Sequence, residues 1–230
     1  MPLPRHAAGL RQETRAAGRL RVARRGNAHD PREFCRRLHA RPARAQPRLM
    51  ALKATIFKVT LGVCDVDRGY YRDHELTIAR HPSETDERMM MRLLAFALYA
   101  DDGLAFGRGL SAEDEPDLWQ RDLTGAIRRW IEVGLPDERA IRRACGRAAG
   151  VRVLAYGGRA AALWWQGVSA RLAAQRTLGV IEIDSTASRA LAAMASRTMR
   201  LQATIEDGRV YFSDSASAVE IQPVILQSST

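Results

Sequence analysis

The excess positive charge of this chain lies in its first 49 residues, and this division limits where a folded domain can form. Residues 1–49 hold 13 of the 36 basic residues but only three of the 26 acidic ones, which accounts for the whole formal net charge of +10. Their apolar residues follow neither a helical nor a strand period. The net charge therefore gives no argument for a basic nucleic-acid-binding domain, and the fold is to be sought in residues 50–230.

The segment before residue 50 also lacks the marks of a targeting sequence. A secretory signal needs an apolar core of roughly 7–15 residues and an organellar transit peptide is rich in serine, whereas this segment has neither. We expect a solvated, disordered extension. A basic tail that binds nucleic acid is one alternative. The other is that translation begins at Met50, because strand-like patterning starts directly after it; N-terminal mass spectrometry of the native protein tests this.

The composition and the cysteines indicate a cytoplasmic protein. The chain is 46% hydrophobic and 27% charged, as in ordinary globular proteins. Arginines interrupt every apolar stretch before it reaches the ~18 residues of a membrane span. Cys35, Cys64 and Cys145 are far apart and form no CxxC motif, which argues against a disulfide scaffold or a cysteine zinc site. We predict no membrane partner and leave the oligomeric state unassigned.

Apolar periods of two residues alternate with helical periods along residues 50–230, which predicts a single mixed α/β domain. We expect Ser83 to cap the first helix and Gly150 to end the second. The predicted strands cover residues 53–65 and 70–80 (a hairpin), 126–133, 151–156, 178–183, 199–205, 210–214 and 219–226. The first predicted helix starts at residue 83. Three further helices are predicted over residues 137–148, 159–175 and 186–196.

Several common catalytic motifs are absent from the sequence. Only two histidines, His74 and His81, follow residue 50, and there is no GxSxG motif, which makes a Ser-His-acid triad improbable. No Walker A loop and no GxGxxG fingerprint is present. The chemistry is therefore to be sought among the carboxylates.

Four acids are crowded into five positions, Glu113, Asp114, Glu115 and Asp117 around a proline, and Glu132 follows at the end of an apolar strand. A lone buried carboxylate costs several kcal/mol, so Glu132 must be solvated or paired. Carboxylates that converge need a cation between them, and hard ions such as Mg²⁺ bind oxygen. The spacing leaves two alternatives open: a metal site, or an exposed acidic loop with Glu132 paired to an arginine.

Two resemblances bear on this choice. Pro116-Asp117-Leu118 followed by Ile131-Glu132-Val133 is similar to the core of the PD-(D/E)XK nuclease superfamily. That resemblance implies that Asp117 and Glu132 hold the metal ion, Mg²⁺ or Mn²⁺, with help from the carbonyl of Val133. From Met50 almost to its C-terminus the chain also resembles the bacterial YaeQ family, whose fold is a compact variant of that architecture. The matching stretches are residues 50–56, 79–85, 113–119, 130–139 and 201–208.

The sequence departs from the superfamily pattern at one position. A lysine is expected two residues after the glutamate, and this chain has Gly134. Arginines of the following helix are candidates to replace it as the phosphate-binding cation: Arg139, Arg142 and Arg143. An arginine stays protonated and cannot act as a general base. Accessory candidates around the site are Glu84 (alternatively an i,i+4 partner of Arg88), Glu87, Asp114, Glu115 and Arg159, whereas Trp119 and Trp130 are expected to serve packing.

The patterning thus predicts a single compact mixed-sheet α/β domain, and the resemblances imply that it is a variant of the PD-(D/E)XK fold. The function that they imply is that of a Mg- or Mn-dependent phosphodiesterase acting on nucleic acid. The alternative is a non-catalytic binding or regulatory module that keeps the same fold and engages nucleic acid or a protein partner. The missing lysine favours the alternative, and the retained acids favour the enzyme.

Overall fold

A computed structural model describes residues 54–108 and 114–229; the N-terminal 49 residues, Met50, and Glu113 of the acidic run lie outside these ranges. The described residues form one α/β domain with two mixed sheets. Their elements follow in the order β1 (Thr55–Asp65), β2 (Tyr70–Arg80), α1 (Asp86–Leu98), β3 (Leu104–Phe106), β4 (Leu118–Arg121), β5 (Ile127–Val133), α2 (Glu138–Cys145), β6 (Ala148–Tyr156), α3 (Arg159–Leu172), β7 (Leu178–Ile183), α4 (Ser185–Ala193), β8 (Thr198–Glu206), β9 (Arg209–Ser213), β10 (Ala218–Ile221) and β11 (Val224–Gln227).

The first sheet has the strand order β10-β9-β8-β1-β2. The predicted hairpin is confirmed, because β1 and β2 pair antiparallel along their whole length, from Thr55 opposite Arg80 to Asp65 opposite Tyr70. β8 joins the other side of β1 in parallel. Buried and exposed residues alternate along β8, as expected for a sheet with one face on the core and one face in solvent.

The second sheet has the strand order β11-β7-β6-β5-β4-β3. Its central strands β5, β6 and β7 are parallel, and β4 is antiparallel to β5. Helices α2 and α3 connect the parallel strands, and their apolar residues share one core cluster with the outer face of this sheet. The carboxyl ends of parallel strands meet at one edge, where ligand sites of α/β proteins commonly lie. Val133, Tyr156 and Ile183 mark that edge.

Helix α1 packs between the two sheets. Its residues 89–97 are all buried and share a core cluster with inward-facing residues of both sheets. Met89, Met90 and Met91 fill this core, where their unbranched side chains adapt to an irregular space. The expected cap at Ser83 is wrong, because the Thr85 hydroxyl accepts the bond from the Arg88 backbone N–H at 3.1 Å.

Two further boundaries differ from the prediction. Helix α2 ends at Cys145, and Gly150, expected to end it, lies inside β6. The predicted C-terminal strand is in fact two strands, and they belong to different sheets. Pro223 lies between them and has no N–H to donate to a ladder, so pairing stops there. The described strands thus form two mixed sheets within the expected single α/β domain.

No helix within the described ranges is long and apolar enough to cross a membrane.

Candidate functional site

Asp117 lies directly before β4, in the plane of the second sheet. Its carboxylate is 2% exposed. Oδ2 accepts a hydrogen bond from the Val133 backbone N–H at 2.8 Å, so the side chain continues the β4–β5 ladder where the β4 backbone leaves it. Burial raises the pKa of Asp117, and the Arg88 guanidinium and the Val133 N–H offset part of that rise.

Glu132 faces Asp117 from the neighbouring strand. The antiparallel β4–β5 register ends with Leu118 opposite Ile131, and Asp117 and Glu132 are the next residues beyond that pair. Burial and then the negative charge of Asp117 raise the pKa of Glu132 to about 7. The two acids therefore form an electrostatically coupled pair at the carboxyl edge of the sheet.

The partner of Glu132 is an indole. Trp130 Nε1 donates a hydrogen bond to Glu132 Oε1 at 2.7 Å, since the two side chains lie on one face of β5 at positions i and i+2. Among the residues that the structure describes, no arginine forms an ion pair with Glu132. The sequence alternative that paired this acid with an arginine is therefore wrong for these residues.

An arginine of α1 bridges two acids, Asp117 and Glu84, on the inner side of the sheet. Arg88 donates through Nη2 to Asp117 Oδ1 at 2.7 Å and through Nη1 to Glu84 Oε1 at 3.1 Å. The expected i,i+4 ion pair of Glu84 and Arg88 is thus confirmed. Glu84 also accepts two bonds from Arg92, whose side chain is almost fully buried in the core.

Tyr156 and the hydrogen-bonded pair of Ser188 and Glu87 lie on the same side of the sheet as Arg88. Tyr156 ends β6, and burial raises the pKa of its hydroxyl to about 12. The Arg88 charge lowers that pKa and the Glu87 charge raises it, both by smaller amounts. The Ser188 hydroxyl of α4 donates to Glu87 Oε1 at 2.6 Å. Glu87 is therefore engaged with α4 and contributes to the charge around Tyr156.

The arginines of α2 are not brought to the acid pair. Arg142 donates to Glu138 at 2.8 Å and to the Arg171 carbonyl at 2.7 Å, so it joins α2 to α3. Arg143 lies 3.9 Å from Asp114, at the surface. Arg139 is exposed. Within the described ranges, the arginine that bonds a member of the acid pair is Arg88, through Asp117.

The other accessory candidates lie at the surface. Arg159 opens α3 and is exposed. Asp114 is exposed, and Glu115 is held by Arg108 through bonds of 3.0 and 3.1 Å to Nε. Hydrogen bonding to Arg108 lowers the pKa of Glu115. Of the described acids in the run after residue 112, only Asp117 is buried.

Gly134 occupies the position of the expected lysine with a φ of 113°. This backbone conformation is strained for any residue with a Cβ. The open space around the position does not remove that strain. A Gly134→Lys substitution is therefore expected to distort the backbone at the end of β5 as well as to add a charge there.

Three members of this cluster do not follow from the sequence. The i,i+4 spacing identifies Arg88 as a partner of Glu84, but its bond to Asp117 joins residues 29 positions apart. Trp130 has the pattern of a packing residue, and only its i,i+2 position relative to Glu132 signals the indole bond. Tyr156 carries no signal beyond its place at the end of a predicted strand.

Known proteins resemble this chain over the part that folds as described. The sequence profile of the YaeQ protein family matches residues 50–223. A relative from Salmonella typhi named "Uncharacterized protein YaeQ" is 52% identical over 173 residues, which cover 75% of this chain and 96% of that protein. The protein of the same name from Escherichia coli K12 is 50% identical over 172 residues, or 75% of this chain and 95% of that protein.

Solved structures agree with the sequence comparison. The crystal structure of YaeQ protein from Xanthomonas axonopodis pv. citri has a TM-score of 0.74 at 50% identity and covers 76% of this chain and 99% of that chain. The YaeQ structure from Pseudomonas syringae has a TM-score of 0.73 at 36% identity, with 76% and 97% covered. The shared region begins at Met50 in the family match, after the arginine-rich segment. The chain belongs to the YaeQ family.

Proposed function

We propose that the chain is a nuclease-like phosphodiesterase that holds one Mg²⁺ or Mn²⁺ ion between Asp117 and Glu132. The observation that carries the proposal is the placement of a buried and a half-buried carboxyl group beside the last residue pair of β4 and β5, close enough for the charge of Asp117 to raise the pKa of Glu132. Two acids in such a place repel each other unless a proton or a cation lies between them. The resemblance to the PD-(D/E)XK core supports the same pair.

The donor set suits a hard divalent ion. Mg²⁺ is commonly held by one or two carboxylates and keeps several waters. Glu132 Oε2 makes no hydrogen bond to a described residue, while Oε1 is bonded to the Trp130 indole. The Val133 carbonyl would be the third ligand. When bound, the ion would lower the pKa of a water molecule toward neutrality for attack on phosphorus. No three His, Cys, Asp or Glu side chains of the described ranges gather around one point, so waters must complete the shell.

Arg88 would replace the missing lysine as the cation that binds the phosphate. Its guanidinium is anchored by Glu84 on one side and contacts Asp117 on the other, which holds it beside the acid pair. A guanidinium stays protonated and binds phosphate oxygens in a fork geometry. Arg88 would therefore stabilise charge that develops on the phosphate and would not accept a proton.

Cleavage of DNA and RNA with Mg²⁺ or Mn²⁺ tests the proposal. We expect Glu132→Gln to abolish metal-dependent cleavage and to weaken metal binding in calorimetry, because glutamine keeps the shape and removes the charge. Arg88→Met should reduce the rate by about 10²–10³, as for the loss of one transition-state donor, and Arg88→Lys should recover part of it. Arg142→Ala and Arg143→Ala are the matched controls and should leave the rate within about twofold, since neither contacts the acid pair.

A second candidate function rests on the Arg88–Asp117 bond itself. That ion pair already neutralises Asp117 without a metal. Gly134 carries no charge at the position where the superfamily has a lysine. A binding or regulatory module with no turnover would show both features. If the purified chain cleaves neither DNA nor RNA with either metal, and calorimetry detects no metal binding that depends on Glu132, this alternative replaces the enzyme.

A further inference from the structure

A groove of about 420 Å³ opens on the outer face of the second sheet, next to the acid pair. Its lining includes two tryptophans, three arginines and two acids, among them Trp119, Trp130, Arg108, Arg121, Arg147 and Glu115. Trp130 belongs to both places: its ring lines the groove, and its N–H bonds Glu132. Trp130 therefore links the groove to Glu132 of the acid pair.

Two tryptophans form the base of the groove. Trp119 and Trp130 are paired across β4 and β5, so their side chains share one face of the sheet. The Arg121 Cζ atom lies 3.7 Å from the centroid of the Trp119 ring, and the Arg147 Cζ atom lies 5.8 Å from that of Trp130. Trp130 is 5% exposed and serves as the floor. Trp119 is half-buried, and the Arg121 guanidinium over its ring forms the outer layer of the platform.

The two stacked arginines keep unused donors. Both are exposed, and neither forms an ion pair within 4.0 Å with a carboxylate of the described ranges. The Arg147 guanidinium donates a long hydrogen bond, 3.4 Å to the Asp114 carbonyl. By contrast, Arg108 is held by Glu115. A guanidinium that stacks on an aromatic ring still directs its N–H edge outward, where it can donate to an anion.

We propose that this groove binds an unpaired nucleotide strand. A base stacks on the Arg121 guanidinium that lies over the Trp119 ring, and backbone phosphates accept hydrogen bonds from the outward N–H edges of Arg121 and Arg147. This combination of aromatic platforms and cationic side chains is how proteins hold single strands without reading their sequence. The bases of a duplex face one another inside the helix and offer no free ring to the platform. As a substrate site the groove rests on the proposed function, whereas strand binding as such does not.

The experiment measures binding of the full chain to labelled single-stranded oligonucleotides of about 12 nucleotides, a length within known site sizes, and to the matching duplex. Fluorescence anisotropy in EDTA keeps metal-dependent cleavage out of the measurement. Arg121→Ala/Arg147→Ala should weaken single-strand binding by about tenfold or more, and Trp119→Leu should have a similar effect. The slope of log K against log salt should become shallower by about 0.7 for each phosphate that the variant no longer neutralises.

Arg72→Ala/Arg200→Ala is the matched control. It removes the same charge from exposed positions of the first sheet and leaves the arginine-rich N-terminal segment unchanged. The proposal is overturned if the groove variants bind as this control does, or if the duplex binds as tightly as the single strand. Should Glu132→Gln and the wild type bind the strand equally while the wild type itself cleaves no DNA or RNA with Mg²⁺ or Mn²⁺, the groove proposal stands and the phosphodiesterase proposal fails.

Discussion

Glu84→Gln is expected to lower the free energy of unfolding by about 3–5 kcal/mol, the usual cost of removing one partner from a buried ion pair. The Glu84 side chain is fully buried and Arg92 is 1% exposed. Arg92 Nη1 donates to both carboxylate oxygens, at 2.8 and 3.0 Å. The substitution keeps the shape of the side chain but leaves the Arg92 charge in an apolar core without a counter-charge. Urea unfolding with an unchanged m value measures the loss.

Two companion variants make this result specific. Glu75→Gln changes an exposed carboxylate of β2 that accepts a 3.2 Å bond from Thr60, and should alter stability by less than about 0.5 kcal/mol. Glu84→Gln/Arg92→Met removes both charges and should recover most of the lost stability, because no uncompensated charge remains in the core. A loss below about 1 kcal/mol for Glu84→Gln alone would contradict the assigned ion pair.

Local patterns are sufficient to predict the elements whose residues alternate or repeat over several turns. The hairpin of β1 and β2 follows from period-two patterning with a turn between its strands, and helix α1 follows from its apolar stripe. The division into two sheets cannot be predicted this way, because sheet membership depends on pairings between residues far apart in the chain. β8 pairs with β1, for example, although most of the domain lies between them in the sequence. Strand β4 has only four residues, too few to show a period.

The same distinction applies to the candidate site. The acids Asp117 and Glu132 can be named from short motifs, and the β4–β5 register then brings them to the same end of the strand pair. The cation cannot be named in this way, since proximity to Gly134 in the sequence favours the arginines of α2. Arg142 turns toward Glu138 and Arg171, whereas Arg88 reaches Asp117 from a helix that packs on the inner side of the sheet.

Glu132→Gln should stabilise the folded chain at alkaline pH and leave its stability unchanged in acid. Burial and Asp117 raise the pKa of Glu132 from 4.5 to about 7, so the folded state favours the protonated carboxyl. The stability gained from that proton is complete below pH 4.5 and is lost as the pH rises through about 7. Glutamine is neutral throughout, and its advantage should therefore grow to about 3 kcal/mol above pH ~7.

Urea unfolding of both proteins between about pH 4.5 and 8.5 measures this difference, and intrinsic fluorescence gives a second readout. The Trp130 indole donates to Glu132, so its emission should change near pH 7 in the wild type and stay constant in the variant. Glu115→Gln is a control of opposite sign, because hydrogen bonding to Arg108 lowers the pKa of Glu115. A pH-independent difference between wild type and Glu132→Gln would show that Asp117 and burial do not act on this carboxyl.

If Mg²⁺ or Mn²⁺ is held by the acid pair, adding the ion at about pH 8 should raise the stability of the wild type alone. Binding to the folded state stabilises it by mass action, and the variant lacks the charge that holds the ion.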